Sequence, residues 1–255
     1  CSPEGSNHLE PRVGKFSGEF FYRAGSSIFD IHRLGEVNPT EVDGKVIVFD
    51  TGPDFRQQML RERVKRLDAV VFTHPHKDHI AGMDDIRSFN FRTKAPIDVY
   101  ANALTIEALK REYAYVFATH DKYPGTPSVN LHEIDDKHRF QAAGVDLLPI
   151  PVMHHKMPVL GFRAGDLAYV TDANHIAPAT KNRLKGLKVL VLNALRRKKH
   201  LSHFTLDEAI ELVEELRPQH AYFTHISHLM GRHADVMQEV PDNVTIAHDG
   251  LSVSI

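Results

Sequence analysis

Thr73-His74-Pro75-His76-Lys77-Asp78-His79 packs three imidazoles and a carboxylate into six residues, directly behind the apolar run that starts at Leu67. The run reads as a buried strand and the cluster as the loop at its end, where the sheet fixes the backbone and the side chains stay accessible. In an extended loop, residues two apart project to the same side. His74 and His76 can therefore grip one cation while Asp78 and His79 turn toward a neighbouring one. A polar surface loop has no need of such a concentration of ligands, so the cluster reads as the seed of two metal sites.

The same strand-then-loop pattern recurs outward from the cluster. Glu41 to Asp50 reads as a hairpin with Asp43-Gly44 at its turn, and its second strand delivers Asp50 to its C-terminal end. Pro53 to Arg63 and Asn102 to Arg111 carry helical periodicity. Strands are expected over 145–151, 159–163 and 167–171, ending at His154-His155 and at Thr171-Asp172. Lys188 to Leu192 is a further apolar run, and Thr205-Leu206-Asp207-Glu208 is a capping box opening a helix to Leu216. Pro218 follows that helix, and His220 to Thr224 forms a last strand ending at His225-Ile226-Ser227-His228. Strands alternating with helices argue for an α/β layered fold. Residues 113–144, rich in turn formers and tyrosines, read as an insertion near the cleft mouth.

Composition sets outer bounds. The 255 residues, 42% of them hydrophobic, suit one globular domain over 1–255, with a poorly defined part at 1–41. A net charge of −2, from 31 basic and 33 acidic residues, gives no general pull toward nucleic acid or an anionic membrane. Eighteen histidines against one cysteine favour metal ligation and fit a reduced, cytoplasmic setting. No apolar stretch approaches the roughly 20 residues that span a bilayer. A start at Cys1 rather than Met reads as truncation or processing, with a mature lipoprotein as the lesser alternative.

His74-x-His76-x-Asp78-His79 resembles the metal-binding signature of the metallo-β-lactamase superfamily, and Asp50-Thr51-Gly52 resembles its upstream strand-end aspartate. Pro151 to His154, Thr171-Asp172 and Thr224 to His228 are similar to its later motifs, and occur in the same order. The resemblance implies an αββα four-layer sandwich. It also implies His74, His76 and His154 on one divalent ion, Asp78, His79 and His225 on a second, and Asp172 bridging. His155 stays as the alternative to His154. Asp50 would organise the ligands from behind, and His228 would lie behind them or against substrate. Zinc leads among the metals, with manganese, iron and nickel also suited to imidazole and carboxylate.

Two features are similar to the phosphodiesterase branch, the PhnP-like phosphoribosyl cyclic phosphate phosphodiesterases and, more distantly, RNase Z. They are Gly82-Met83-Asp84-Asp85-Ile86-Arg87, which offers Asp85 and Arg87 to the ligands or substrate, and His203 ahead of the capped helix. The branch implies a metal-bridging hydroxide as nucleophile, with Asp78 and His203 as catalytic groups and His203 as general acid. Two ions about 3.5–4 Å apart lower the pKa of a shared water toward ~7, and a general acid adds roughly 10²- to 10⁴-fold. Arg196-Arg197-Lys198-Lys199 offers charge to a phosphate. The cysteine-rich zinc stretch of PhnP relatives and the tRNA-gripping arm of RNase Z are missing. A small cyclic or nucleotide-like phosphodiester is therefore the expected partner, with nucleic acid and a homodimer left open and no membrane. Two alternatives stand: a carboxylic ester, lactam or thioester hydrolase on the same metals, and a catalytically idle metal- or nucleotide-binding regulatory protein.

Overall fold

Residues 16–23, 26–33, 45–251 and 253 are described by a computed structural model. Its strands follow from burial on both faces. Along β3 (Lys45–Phe49), Ile47 and Phe49 enter one core while Val46 and Val48 enter another, as a strand covered on both sides requires. β3 belongs to a six-stranded sheet in sequence order, with β1 (Phe16–Arg23), β2 (Ser26–Arg33), β4 (Ala69–Val71), β5 (Ile97–Ala101) and β6 (Val129–Glu133). β1 to β3 are antiparallel and β3 to β6 parallel.

A seven-stranded sheet takes β7 (Phe140–Ala142), β8 (Val145–His154), β9 (Met157–Ala164), β10 (Leu167–Val170), β11 (Val189–Asn193), β12 (His220–Thr224) and β13 (Val244–Ile246), again as sequential neighbours. β7 to β10 are antiparallel and β10 to β13 parallel. The helices are α1 (Phe55–Arg61), α2 (Lys77–Ile80), α3 (Arg87–Thr93), α4 (Ala103–Glu112), α5 (Pro178–Lys181), α6 (Leu206–Leu216) and α7 (His233–Val236), with a 3₁₀ turn at Met83–Ile86.

Three cores divide these elements into four layers. Ile47, Phe49 and Val71 of the first sheet meet Leu160, Phe162, Tyr169 and Val191 of the second, with the Phe49 and Phe162 rings stacked at 5.4 Å. Val48, Val70 and Phe72 pack outward on Phe55, Met59, Ile106 and Leu109. Leu190, Leu192 and Phe223 pack outward on Leu206, Ala209, Leu212, Val213 and Leu216, whose three- and four-residue spacing gives α6 one apolar face. The result is the expected αββα sandwich. The Thr205–Glu208 capping box forms as expected, and α6 ends on Arg217 in the left-handed region at φ 51°. Among the described residues, no helix is long and apolar enough to cross a membrane.

Three segments differ from the sequence reading. The part before residue 42 supplies β1 and β2, which pair with each other, and β2 pairs in turn with β3. The first half of the hairpin expected at Glu41 to Asp50, including the Asp43-Gly44 turn, lies outside the described residues, and β3 pairs with β2 instead. Residues 113–144 are more than an insertion, since they supply one edge strand to each sheet, β6 and β7. Short strands flanked by turn formers carry little periodic signal.

Gly82 is fixed by close approach. A Cβ there would sit 2.5 Å from Phe55 Cβ and 2.6 Å from the Gly52 carbonyl oxygen. The Gly82 amide meanwhile donates to Thr51 O at 2.8 Å, and Thr51 donates back to His79 O at 2.7 Å. Gly82→Ala should therefore destabilise the fold by about 1–3 kcal/mol, the range for overpacking; an unchanged urea midpoint would show that this contact relaxes freely.

Candidate metal centre

The cluster is assembled by loops at the strand ends. Asp50 follows β3, His74 to His79 follow β4, His154 ends β8, Asp172 follows β10 and His225 follows β12. His154 shares its strand face with buried Val152 and Ile150, two and four residues earlier. Asp50, Asp172 and His225 have φ of 62°, 52° and 55°. Non-glycine residues seldom occupy that region, and each costs about 1–2 kcal/mol there. Three such residues, at the ends of β3, β10 and β12, turn the chain sharply into one site.

Asp172 is the hub. It is 1% exposed, and its carboxylate oxygens lie 3.1 Å from His225 Nδ1, 3.3 Å from His203 Nε2, 3.4 Å from His79 Nε2 and 3.5 Å from His74 Nε2. Burial works against its charge, but the charges of His225 and His79 outweigh that effect and hold the carboxyl well below its ordinary range. Asn193, fully buried at the end of β11, clamps the hub's loop by accepting from Ala173 N at 2.8 Å and donating to Ala173 O at 3.0 Å.

Behind the imidazoles, Asp50 accepts from Thr73 N and Thr73 Oγ1 at 2.8 Å and from His79 Nδ1 at 2.7 Å. Burial lowers His79, yet the Asp50 and Asp172 charges outweigh it and push the ring well above its ordinary value. His74 is driven well below its ordinary value, first by burial and then by the charge of His79, and His154 and His225 are lowered chiefly by burial. His154 Nδ1 bonds to Ser202 O at 2.9 Å, so its Nε2 is left for the site.

Two ring nitrogens, His74 Nε2 and His79 Nε2, are buried with no hydrogen-bond partner. Unmatched buried polar atoms cost about 1–3 kcal/mol each. Both nitrogens face a carboxylate, and three overlapping sets are placed to hold a cation: His74, His79 and Asp172; His76, His154 and Asp172; Asp172, His203 and His225. The donor set fits divalent metals of the imidazole and carboxylate class. A cation would give the orphaned nitrogens the partner they lack.

Most of the residues expected at the site therefore converge: His74, His76, His79, His154, Asp172, His203 and His225, with Asp50 behind them. His74 sits nearer His79, at 4.0 Å between ring centroids, than His154, at 5.7 Å. Asp78 stands at the edge with its side chain 54% exposed, and its approach to His79 Nε2 at 3.5 Å leads the causes holding its carboxyl low. His155 is exposed at the β8–β9 turn, which favours His154 over it. His203 is only 8% exposed, not a solvent-facing helix-entry residue.

Other expected residues lie elsewhere. His228 is exposed. Asp85 faces Arg56 at 3.8 Å and Arg87 faces Asp84 at 3.5 Å, and both line a groove with Phe55, Met59 and Phe89 that holds none of the clustered histidines. The basic loop is largely spent on its own fold: Arg197 pairs with Glu239 at 2.6 and 2.8 Å, Lys199 pairs with Glu208, and Arg196 donates to Lys198 O and Lys199 O. Three supporting residues escaped the sequence reading: Asn193, His200 and Ser202. A buried asparagine at a strand end and a His200-x-x-His203 pair were the available signals.

Residues 45–226 match the family described as the beta-lactamase superfamily domain. An octanoyltransferase of Porphyromonas gingivalis is 35% identical over 213 residues, covering 83% of this chain but 43% of that protein. The chain thus spans less than half the length of that relative. A ribonuclease Z of Mycobacterium sp. (strain KMS) is 26% identical over 190 residues, covering 68% of this chain and 67% of that protein. Among solved structures, a diphosphatase from the PhnP family aligns with TM-score 0.78 and 36% identity, over 90% of this chain and 83% of that one. The short form of human tRNase Z aligns with TM-score 0.65 and 17% identity, over 92% and 93% of the two chains.

Equilibration of the purified chain with zinc or manganese should give close to two ions per chain. Asp50→Ala should weaken metal affinity by about 10- to 100-fold, as loss of a carboxylate behind a ligating histidine does. His154→Ala should lose metal, while His155→Gly should keep it; the reverse pattern in elemental analysis would exchange the two assignments.

Proposed function

The chain belongs to the beta-lactamase superfamily domain family, with a PhnP-family diphosphatase and ribonuclease Z among its relatives, and from that premise we propose that it is a dinuclear metal-dependent phosphodiesterase acting on a small cyclic or nucleotide-like phosphodiester. His74, His76 and His154 would hold one divalent ion and Asp78, His79 and His225 the other, with Asp172 shared. When bound, the pair supplies Lewis acidity at the phosphoryl oxygens and water activated at neutral pH.

The observation that carries the phosphoryl reading is the setting of His203. Its Nε2 faces Asp172 Oδ2 at 3.3 Å, while its ring stacks on His225 at 4.8 Å and meets His154 edge-on at 4.6 Å. On the far side, its Nδ1 lies 3.0 Å from His200 Nδ1 and 3.1 Å from Ser202 Oγ. An ionised Asp172 carboxylate only accepts, so this contact calls for hydrogen on His203 Nε2, the nitrogen aimed into the cluster. A phosphodiester expels an alkoxide, which needs that proton as the bond to phosphorus breaks. His203 is therefore assigned as the general acid, held by His200 and Ser202. Asp50 and Thr73 keep His79 oriented, and Asn193 keeps the Asp172 loop in place.

The octanoyltransferase relative favours a second reading, hydrolysis or transfer of an acyl ester or thioester on the same metals. Its coverage weakens the transfer of that name, because more than half of that protein lies outside the matched part.

Leaving-group chemistry separates these readings. The metal-loaded chain should hydrolyse bis(p-nitrophenyl) phosphate and a ribonucleoside 2′,3′-cyclic phosphate, and should leave acyl thioesters and nitrocefin intact. His203→Ala should lower kcat on the cyclic phosphate by about 10²- to 10⁴-fold and far less on the p-nitrophenyl diester, whose leaving group departs without a proton. Equal losses on both substrates, together with lost metal, would make His203 a ligand instead. Thioester turnover without diester turnover would overturn the phosphodiesterase assignment.

A further inference from the structure

Seven large hydrophobic side chains are exposed among the described residues, and three of them, Phe91 at 56%, Tyr115 at 45% and Tyr123 at 78%, line one cavity of about 500 Å³. Clustering of exposed aromatics is what a binding surface shows and a merely solvated surface does not. The cavity is within the size range of small-ligand sites. Pro124, Gly125 and Thr126 close it from the loop, and Arg87 stands at its edge. Gly125 has φ +93°, and a Cβ there would come within 3.2 Å of Phe91 Cζ, so only glycine lets the loop lie this close to the ring.

The cavity is anchored to the metal cluster's own helix. Tyr113 Oη donates to the carbonyl of Ile80, the last residue of α2, at 2.7 Å, and Tyr115 Oη donates to Asp84 in the next turn. Asp84 in turn pairs with Arg87 at 3.5 Å. Asp78 lies on α2 and Asp84 on the 3₁₀ turn that follows it, so the cluster's edge and the aromatic cavity are fastened to the same short stretch of chain. Arg87 also lines the adjoining groove, which carries Arg56, Lys65 and Arg92 against the single carboxylate of Asp85. Flat apolar faces thus adjoin a cationic strip, on a chain whose net charge is −2.

We propose that Phe91, Tyr115 and Tyr123 form a subsite for the nucleobase of a nucleoside phosphate, with Arg87 at the phosphate side. This rests on the phosphodiesterase reading for its role as substrate specificity, and on the cavity alone for its ability to bind a base. Every base offers a π-face, and stacking on aromatic side chains is tolerant of base identity. The guanidinium of Arg87, held in place by Asp84, keeps further donors for phosphate oxygens.

Calorimetric titration of the metal-loaded chain with adenosine 5′-monophosphate and with ribose 5-phosphate tests this, because the two differ at C1 alone, adenine in one and a hydroxyl in the other. The nucleotide should bind about fivefold tighter or more. In Tyr123→Ala and in Phe91→Ala, both substitutions at exposed positions, the ratio should fall to within about twofold. Equal affinities in the unmodified chain, or an unchanged ratio in both variants, would overturn the subsite. Turnover of bis(p-nitrophenyl) phosphate is read in parallel. Base preference without turnover upholds the subsite and removes the phosphodiesterase reading, whereas turnover without base preference does the opposite.

Discussion

A carboxylate buried in an apolar sandwich has to be surrounded by partners, and Asp172, with imidazoles of four histidines at 3.1 to 3.5 Å, is where that requirement organises this protein. The partners come from the loops after β4, β11 and β12. Asp172 itself comes from the loop after β10, so one residue ties both sheets together at the rim. Removing the carboxylate would leave those rings facing one another, several without a hydrogen-bond acceptor. The orphaned nitrogens of His74 and His79 show that protein atoms alone do not complete the arrangement.

Holding that geometry costs backbone energy. Asp50, Asp172 and His225 all take left-handed φ values, a combined cost of about 3–6 kcal/mol by the usual penalty for L-residues. Packing offsets it: Phe49, Val71, Val170 and Phe223, just before the site loops, are at most 3% exposed, and the strands cannot shift without opening a core. Hydrogen bonds then set the side chains. Asp50 joins Thr73 to His79, Asn193 brackets the Asp172 loop, and Ser202 reaches both His154, through its carbonyl, and His203, through its hydroxyl. Strain and support of this kind belong together at sites that must be rigid before a ligand arrives.

The same architecture separates what lies near the cluster from what merely lies near it in sequence. Gly82 follows His79 by three residues, yet its part is to let the α2 turn pass against Phe55 and Gly52. Asp85 and Arg87 come next and point to a different groove. The basic loop before His203 is drawn into pairs with Glu208 and Glu239. His203 and His200, three residues apart, meet ring to ring.

By itself the sequence determined the layered class, the central strands and the ligand inventory. Buried parallel strands must be continuously apolar, a capped helix must carry its box, and clustered histidines behind a strand have few other uses. It also determined the order of the motifs, and hence the family. Strands β1, β2, β6 and β7 were not legible: β1, β6 and β7 stand at sheet edges, and a strand with one partner carries only a weak pattern. Only the tertiary structure decided that His154 rather than His155 enters the cluster, that His203 is buried there, and that Asp85 and Arg87 turn away. Those are questions of direction: side chains adjacent in sequence point to opposite sides of a strand or around a helix, and the packing of the two sheets chooses which side becomes the site.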